Sequence, residues 1–246
     1  MRGRPAVLSI HAVDTLGEEG VLVDAAVCTE MECRPVSVVT SILATGQKGL
    51  EVLEGLSLAL VAQQFESLIG VCRPQAARTG ILRDARQVEL VAGLLRQFGI
   101  HDLVVAPIDR VLGVRILDKP AVEAARRFLF PLARVVVLRA VDAPTFVGES
   151  MEDIDGMRRA ASAVRAQGAK AVLVAGASWR GRVVDVLDEN GHVSVFDSQR
   201  GIAPPAEMLS GAHAAALVAH LARGAPLARA VDAALRYVAL RLQRLH

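Results

Sequence analysis

The chain has 246 residues, of which 52% are apolar and 22% charged, so it can build a sizeable core and is excluded from the disordered class. The formal net charge is +2 and the basic residues are scattered, almost all of them Arg, with Lys only at 48, 119 and 170. That pattern gives no polybasic face, so neither nucleic acid nor an anionic membrane is expected as a partner.

In chain order, Ala6 to Ile10 reads as a strand and Gly20 to Glu30 as a helix, followed by a β-branched strand from Pro35 to Ile42. Ser57 to Ile69 carries a helical apolar period, Ala76 to Leu82 is a strand ending in Thr79-Gly80, and Ala85 to Phe98 is an amphipathic helix stopped by Gly99. Asp102 to Pro107 is a buried strand, Pro120 to Pro131 a helix with Pro at its start, and Arg134 to Leu138 a strand. Met151 to Gln167 is a helix closed by Gly168, and Ala171 to Ala175 a strand. Val183 to Leu187 and Val193 to Phe196 flank Asn190-Gly191, a hairpin signature. Two helices, Gly211 to Arg223 and Pro226 to Arg244, end the chain, separated by Gly224 and Pro226. Alternating β and α units predict one α/β domain over 1–246, with a mostly parallel central sheet flanked by helices on both faces.

The three cysteines, Cys28, Cys33 and Cys72, are an odd count with no disulfide framework, and Cys28 and Cys33 lack neighbouring His for a zinc site. The first residues turn apolar only briefly and read as a strand rather than a signal peptide. No apolar run reaches the ~20 residues of a spanning helix, so a cytoplasmic protein without a membrane partner is expected.

Four segments carry chemistry. The first is His11-Ala-Val-Asp14-Thr-Leu-Gly17-Glu-Glu-Gly20-Val-Leu-Val-Asp24, the second Ser37-Val-Val-Thr40-Ser-Ile-Leu-Ala44-Thr45, and the third Ala77-Arg78-Thr79-Gly80-Ile81-Leu82. The fourth joins Asp185-Val-Leu187, Arg200, Ser210-Gly211-Ala212-His213 and Gly224. Together they resemble the hydroxymethylpyrimidine and phosphomethylpyrimidine kinases of thiamine biosynthesis, a ribokinase-like family, from Ala6 to about Arg241. The family patterns are AGSDPSGGAGIQAD, SVITALTAQ, VKTGML, and a DLL strand followed by an Arg and a G-[TA]-G-C loop.

The resemblance implies ATP and Mg²⁺ as reactants, a pyrimidine-like or phosphate-bearing small molecule as ligand, and a homodimer. It assigns ligand binding to Asp14, Gly17, Asp24, Thr45, Thr79 and Gly80. It assigns nucleotide and phosphate binding to Arg139, Asp142, Ala175, Ser210, Gly211 and Ala212, with Asp142 also the metal position.

Several of these positions depart from the family pattern. The family's pyrimidine-binding Gln falls at Thr45, its Asn and Glu at Arg139 and Asp142, its strand Asp at Ala106, and its Lys at Ala175. The Cys that the family uses to take the acceptor's proton falls at Gly211, leaving Ser210 or a shifted His213 as substitutes. The expectation is therefore a kinase-family chain with an eroded anion hole and metal site. The alternative is a non-catalytic member, a pseudokinase binding a small ligand or a protein partner. Trp179, the only tryptophan, is expected as a partly exposed loop aromatic, the alternative being base stacking near the presumed nucleotide side.

Overall fold

The computed structural model describes residues 3–149, 151, 153–179, 182–198 and 206–243. In chain order the strands are β1 (Ala6–Asp14), β2 (Arg34–Gly46), β3 (Gly49–Gly55), β4 (Ala76–Thr79), β5 (Leu103–Val105), β6 (Arg110–Val111), β7 (Val114–Arg115), β8 (Val135–Arg139), β9 (Ala171–Trp179), β10 (Arg182–Glu189) and β11 (His192–Ser198). The α-helices are α1 (Val21–Glu30), α2 (Leu58–Ile69), α3 (Ala85–Gln97), α4 (Lys119–Ala124), α5 (Ala143–Val147), α6 (Ile154–Arg165), α7 (Ala206–Ala222) and α8 (Leu227–Gln243).

Nine strands form one sheet in the order β11-β10-β9-β8-β5-β4-β1-β2-β3, and β6 and β7 make a separate small hairpin. The six strands from β9 to β2 in that order pair in parallel, while β3, β10 and β11 are antiparallel additions at the two edges. The parallel strands are apolar on both faces because both faces are covered. Leu8, Ile10, Val136, Leu138, Val172 and Val174 face a core shared with α2, α3, α4 and α6. Their alternates Val7, Val135, Val137, Ala171 and Leu173 face a second core under α1, α7 and α8.

Local chemistry explains the helix starts. Ser57, Asp84, Asp118 and Asp153 each cap a helix, accepting from the amides of Leu60, Gln87, Ala121 and Gly156 at 3.3, 2.9, 2.8 and 2.6 Å. The Asn190-Gly191 turn takes the expected form, with φ of 54° and 89°. α7 is buried on every side from Ala212 to Ala219, a pattern that belongs to a helix enclosed between the sheet and other helices.

The elements differ from the sequence reading in several places: β6, β7 and α5 are additions to it, and β9 runs on through Trp179, expected in a loop. β2 runs on to Gly46 and turns back as β3, a polar edge strand whose alternation is too weak to read. The helix expected over Pro120 to Pro131 is α4 followed by a wider π turn, Ala125–Leu129, and a tight turn, Phe130–Leu132. The helix expected to open at Gly211 is already helical at Ala206.

Candidate active site

The carboxyl ends of the parallel strands converge, as they do wherever open α/β sheets bind ligands. There a pocket of about 240 Å³ is lined by Asp14, Glu18, Glu19, Leu43, Thr45, Ile108, Arg110, Val111, Leu112 and Arg139. Asp14 closes β1, Leu43 and Thr45 lie near the end of β2, Ile108 follows β5, and Arg139 closes β8.

Asp14 organises the loop between β1 and α1. Its carboxylate accepts from the amides of Leu16, Glu18 and Glu19 at 3.4, 2.9 and 3.3 Å, and Thr45 Oγ1 lies 3.5 Å away. Gly17 turns the loop at a φ of 72°. The loop then doubles back so that Gly20 bridges to Val13. A Cβ on Gly20 would lie 2.1 Å from the Ala12 carbonyl oxygen, so only glycine fits.

Beneath this loop lies a buried ion pair. Asp24, in the first turn of α1, binds Arg78 of β4 and accepts from Ser9 Oγ. Arg78 also donates to the Gly211 carbonyl at 2.9 Å, so it ties β4, α1 and α7 together. Burial pushes the Asp24 carboxyl up, and the Arg78 charge and the Ser9 hydroxyl pull it only part of the way back. Asp24 is therefore spent on the scaffold and does not line the pocket.

Thr79 and Gly80 line a separate, smaller cavity of about 20 Å³ behind the site. A Cβ on Gly80 would collide with the His11 ring, 2.0 Å from Cδ2, so Gly80 makes room for His11. His11 is fully buried, and its Nδ1 accepts from the amides of Ala12 and Ile81 at 2.8 and 3.3 Å. That assigns the ring proton to Nε2, which lies 3.7 Å from Glu19 Oε2. Burial first, and the Arg78 charge second, hold His11 well below the usual histidine range, so the ring is neutral.

The phosphate side departs from the expectation. Arg139 pairs with Asp142 and donates to the Arg110 carbonyl at 2.6 Å. Asp142 is fully buried, and burial raises its carboxyl despite Arg139. A cation already sits on the carboxylate proposed to hold Mg²⁺, so Asp142 does not fit a metal, and the metal expectation is corrected. Among the described residues no group of three or more His, Cys, Asp or Glu is placed to hold one. Ala175 pairs with Arg139 across the sheet and offers only backbone, its carbonyl accepting from Ala140 at 2.8 Å.

The expectations for α7 also need correction. Gly211 and Ala212 lie inside the helix, so their amides are held by the helix ladder and cannot open an anion hole. His213 is buried in the same helix, is absent from the residues lining the pocket, and is not placed to act as a base. The side chains of Ser210 and Trp179, and the whole of Arg200, lie outside the described residues.

The sequence reading missed Glu19 and Arg110. Glu19 stands where the family pattern has Ala, and an acid at that small-residue position was the available signal. Arg110 carries no comparable signal.

Comparisons with known proteins place the chain in a family. The family model for phosphomethylpyrimidine kinase matches residues 14–245. The chain is 29% identical over 237 residues to the thiamine biosynthesis bifunctional protein ThiED of Geobacter sulfurreducens, covering 96% of this chain but only about half, 48%, of that relative. It is 30% identical over 233 residues to a hydroxymethylpyrimidine/phosphomethylpyrimidine kinase of Rhizobium meliloti, covering 94% of this chain and 88% of that one. Among solved structures, a phosphomethylpyrimidine kinase of Clostridium difficile superposes with a TM-score of 0.86 at 23% identity, covering 97% of this chain and 100% of that one. A pyridoxal kinase of Staphylococcus aureus in complex with AMP-PCP and pyridoxal superposes with a TM-score of 0.87 at 21% identity, covering 96% and 87%. Those two likenesses establish the ribokinase-like fold of the vitamin kinases. With a family model spanning nearly the whole chain, the chain belongs to the phosphomethylpyrimidine kinase family, whose members serve thiamine biosynthesis.

Proposed function

We propose that this chain is a kinase of a small heteroaromatic alcohol, of the hydroxymethylpyrimidine type, with a rebuilt acceptor side and a weakened nucleotide side. The observation that carries the reading is the pocket at the carboxyl ends of the strands, with Asp14, Glu19 and Thr45 beside Arg110 and Arg139. Leu43, Ile108 and Val111 give an aromatic ring an apolar bed, while Asp14 accepts from its amino group. Arg110 draws a phosphate-bearing form of the same ligand.

ATP enters as second substrate, together with its magnesium. The residues on its side fit it poorly: Ala175 and Ala106 contribute no charge, and Arg139 is engaged by Asp142. Losing one charge-assisted contact costs about 1.5–3 kcal/mol, so Mg-ATP is expected to bind weakly. The test is a coupled ADP-release assay with hydroxymethylpyrimidine and with its phosphate, each product checked by phosphorus NMR. Magnesium-dependent turnover with a high KM for ATP is expected.

The Arg139–Asp142 pair favours a second reading, a family member that binds the ligand without turning it over. Calorimetric binding of the pyrimidine with no phosphorylated product would establish that reading in place of the first.

A further inference from the structure

Phosphoryl transfer to an alcohol needs a group that takes the hydroxyl proton as the oxygen attacks phosphorus. Neither Gly211 nor His213 supplies it. The space beside Gly211 is nevertheless filled. A Cβ built on Gly211 would lie 3.0 Å from Glu19 Oε2 and 3.4 Å from both Oε1 and Cδ, so the Glu19 carboxylate takes up the room a side chain at 211 would need.

Three acids line the pocket, and their surroundings separate them. Glu18 is exposed. Asp14 is 1% exposed, and its carboxylate is held by the three loop amides. Glu19 is 9% exposed, accepts from the Gly20 amide at 3.4 Å, and lies between the pocket, Gly211 and the neutral N–H edge of His11. Gly20, the residue after Glu19, turns the backbone at a φ of 82° and bridges back to Val13, which fixes the loop at Glu19.

We propose that Glu19 is the general base of this site, delivered from the β1–α1 loop into the space left by the missing side chain at Gly211. This rests on the kinase reading above. In the step, the hydroxyl proton passes to the Glu19 carboxylate and the alcohol oxygen bonds to the γ-phosphorus of ATP. The bond from that phosphorus to the bridging oxygen breaks, its electron pair leaves with ADP, and Glu19 later returns the proton to water.

The experiment compares wild type, Glu19→Gln, Glu19→Ala and Glu19→Ala/Gly211→Cys with hydroxymethylpyrimidine and Mg-ATP. Binding of the pyrimidine is followed in parallel by calorimetry. Glu19→Gln is expected to lower kcat by about 10²–10⁴-fold, with pyrimidine affinity held within about threefold. The double variant should recover at least about tenfold over Glu19→Ala, because removing the carboxylate frees the space for the thiol. That recovery also serves should Glu19→Gln fail to fold. Wild-type turnover with Glu19→Gln equally active would overturn this proposal and leave the kinase reading intact. A double variant no faster than Glu19→Ala would overturn it as well. Wild type inert with the pyrimidine alcohol and its phosphate would overturn the kinase reading and this proposal together.

Discussion

The two halves of the cleft each hold a buried Arg–Asp pair, and the pairs do different work. On the acceptor half, Arg78–Asp24 lies beneath the pocket floor and joins β4, α1 and α7, leaving Asp14, Glu19 and Thr45 to face the ligand. On the proposed nucleotide half, Arg139–Asp142 is local, three residues apart in sequence, and its arginine lies in the pocket wall itself. One pair supports a site and the other fills one. The acceptor half therefore keeps its polar surface available, while the nucleotide half uses its charges on itself.

The largest expected effect tests the supporting role. Arg78→Met strands a buried carboxylate and should cost about 3–5 kcal/mol in urea unfolding at neutral pH, with Arg78→Met/Asp24→Leu recovering much of the loss. The single variant should lose less at acid pH, because without Arg78 the already raised Asp24 carboxyl moves further up and protonates first. Arg139→Met should cost clearly less, since Asp142 also accepts from the Asp109 amide. Equal losses from the two arginines would erase the distinction between the pairs.

Next in size is a gain on the depleted half. Ala175→Lys puts a cation on β9 beside the end of β8, and one charge-assisted phosphate contact should tighten Mg-ATP by about 1.5–3 kcal/mol in calorimetry. Unchanged nucleotide affinity would mean that the loss of the lysine is not what weakens this half.

The third prediction concerns His11, on the acceptor half. Its folded pKa lies well below the unfolded 6.5, so below that pH the unfolded chain binds a proton that the folded chain refuses. Stability should then fall with decreasing pH from about 6.5, by up to about 1.4 kcal/mol per pH unit. His11→Asn, which keeps an acceptor for the Ala12 and Ile81 amides, should flatten that slope in a pH series of melting curves.

The smallest effect is expected at Thr45, whose hydroxyl lies 3.5 Å from Asp14. Thr45→Val should change pyrimidine affinity by about 1 kcal/mol or less. A larger loss would make Thr45 a direct ligand contact.

The periodicities that placed the parallel strands and most helices are local properties of the chain, and an apolar β-branched run or a capped amphipathic stretch declares itself without tertiary information. Motif spacing likewise singled out Asp14, Thr45 and Arg139, which the structure places around one pocket. The same spacing could not say that Asp24 turns inward to Arg78, or that Thr79 and Gly80 lie behind the site, because burial and partner choice depend on residues 54 and more positions away. It could not place Gly211 within a helix either, since an alanine-rich run has no strong start signal and packing against α1 and α8 decides its length. The residues alone established which side chains are missing from the family pattern. Only the tertiary structure decided what stands in their place: Glu19 meets Gly211 across 192 positions of chain because a loop and a helix close on the same strand ends, and no local pattern records such a contact.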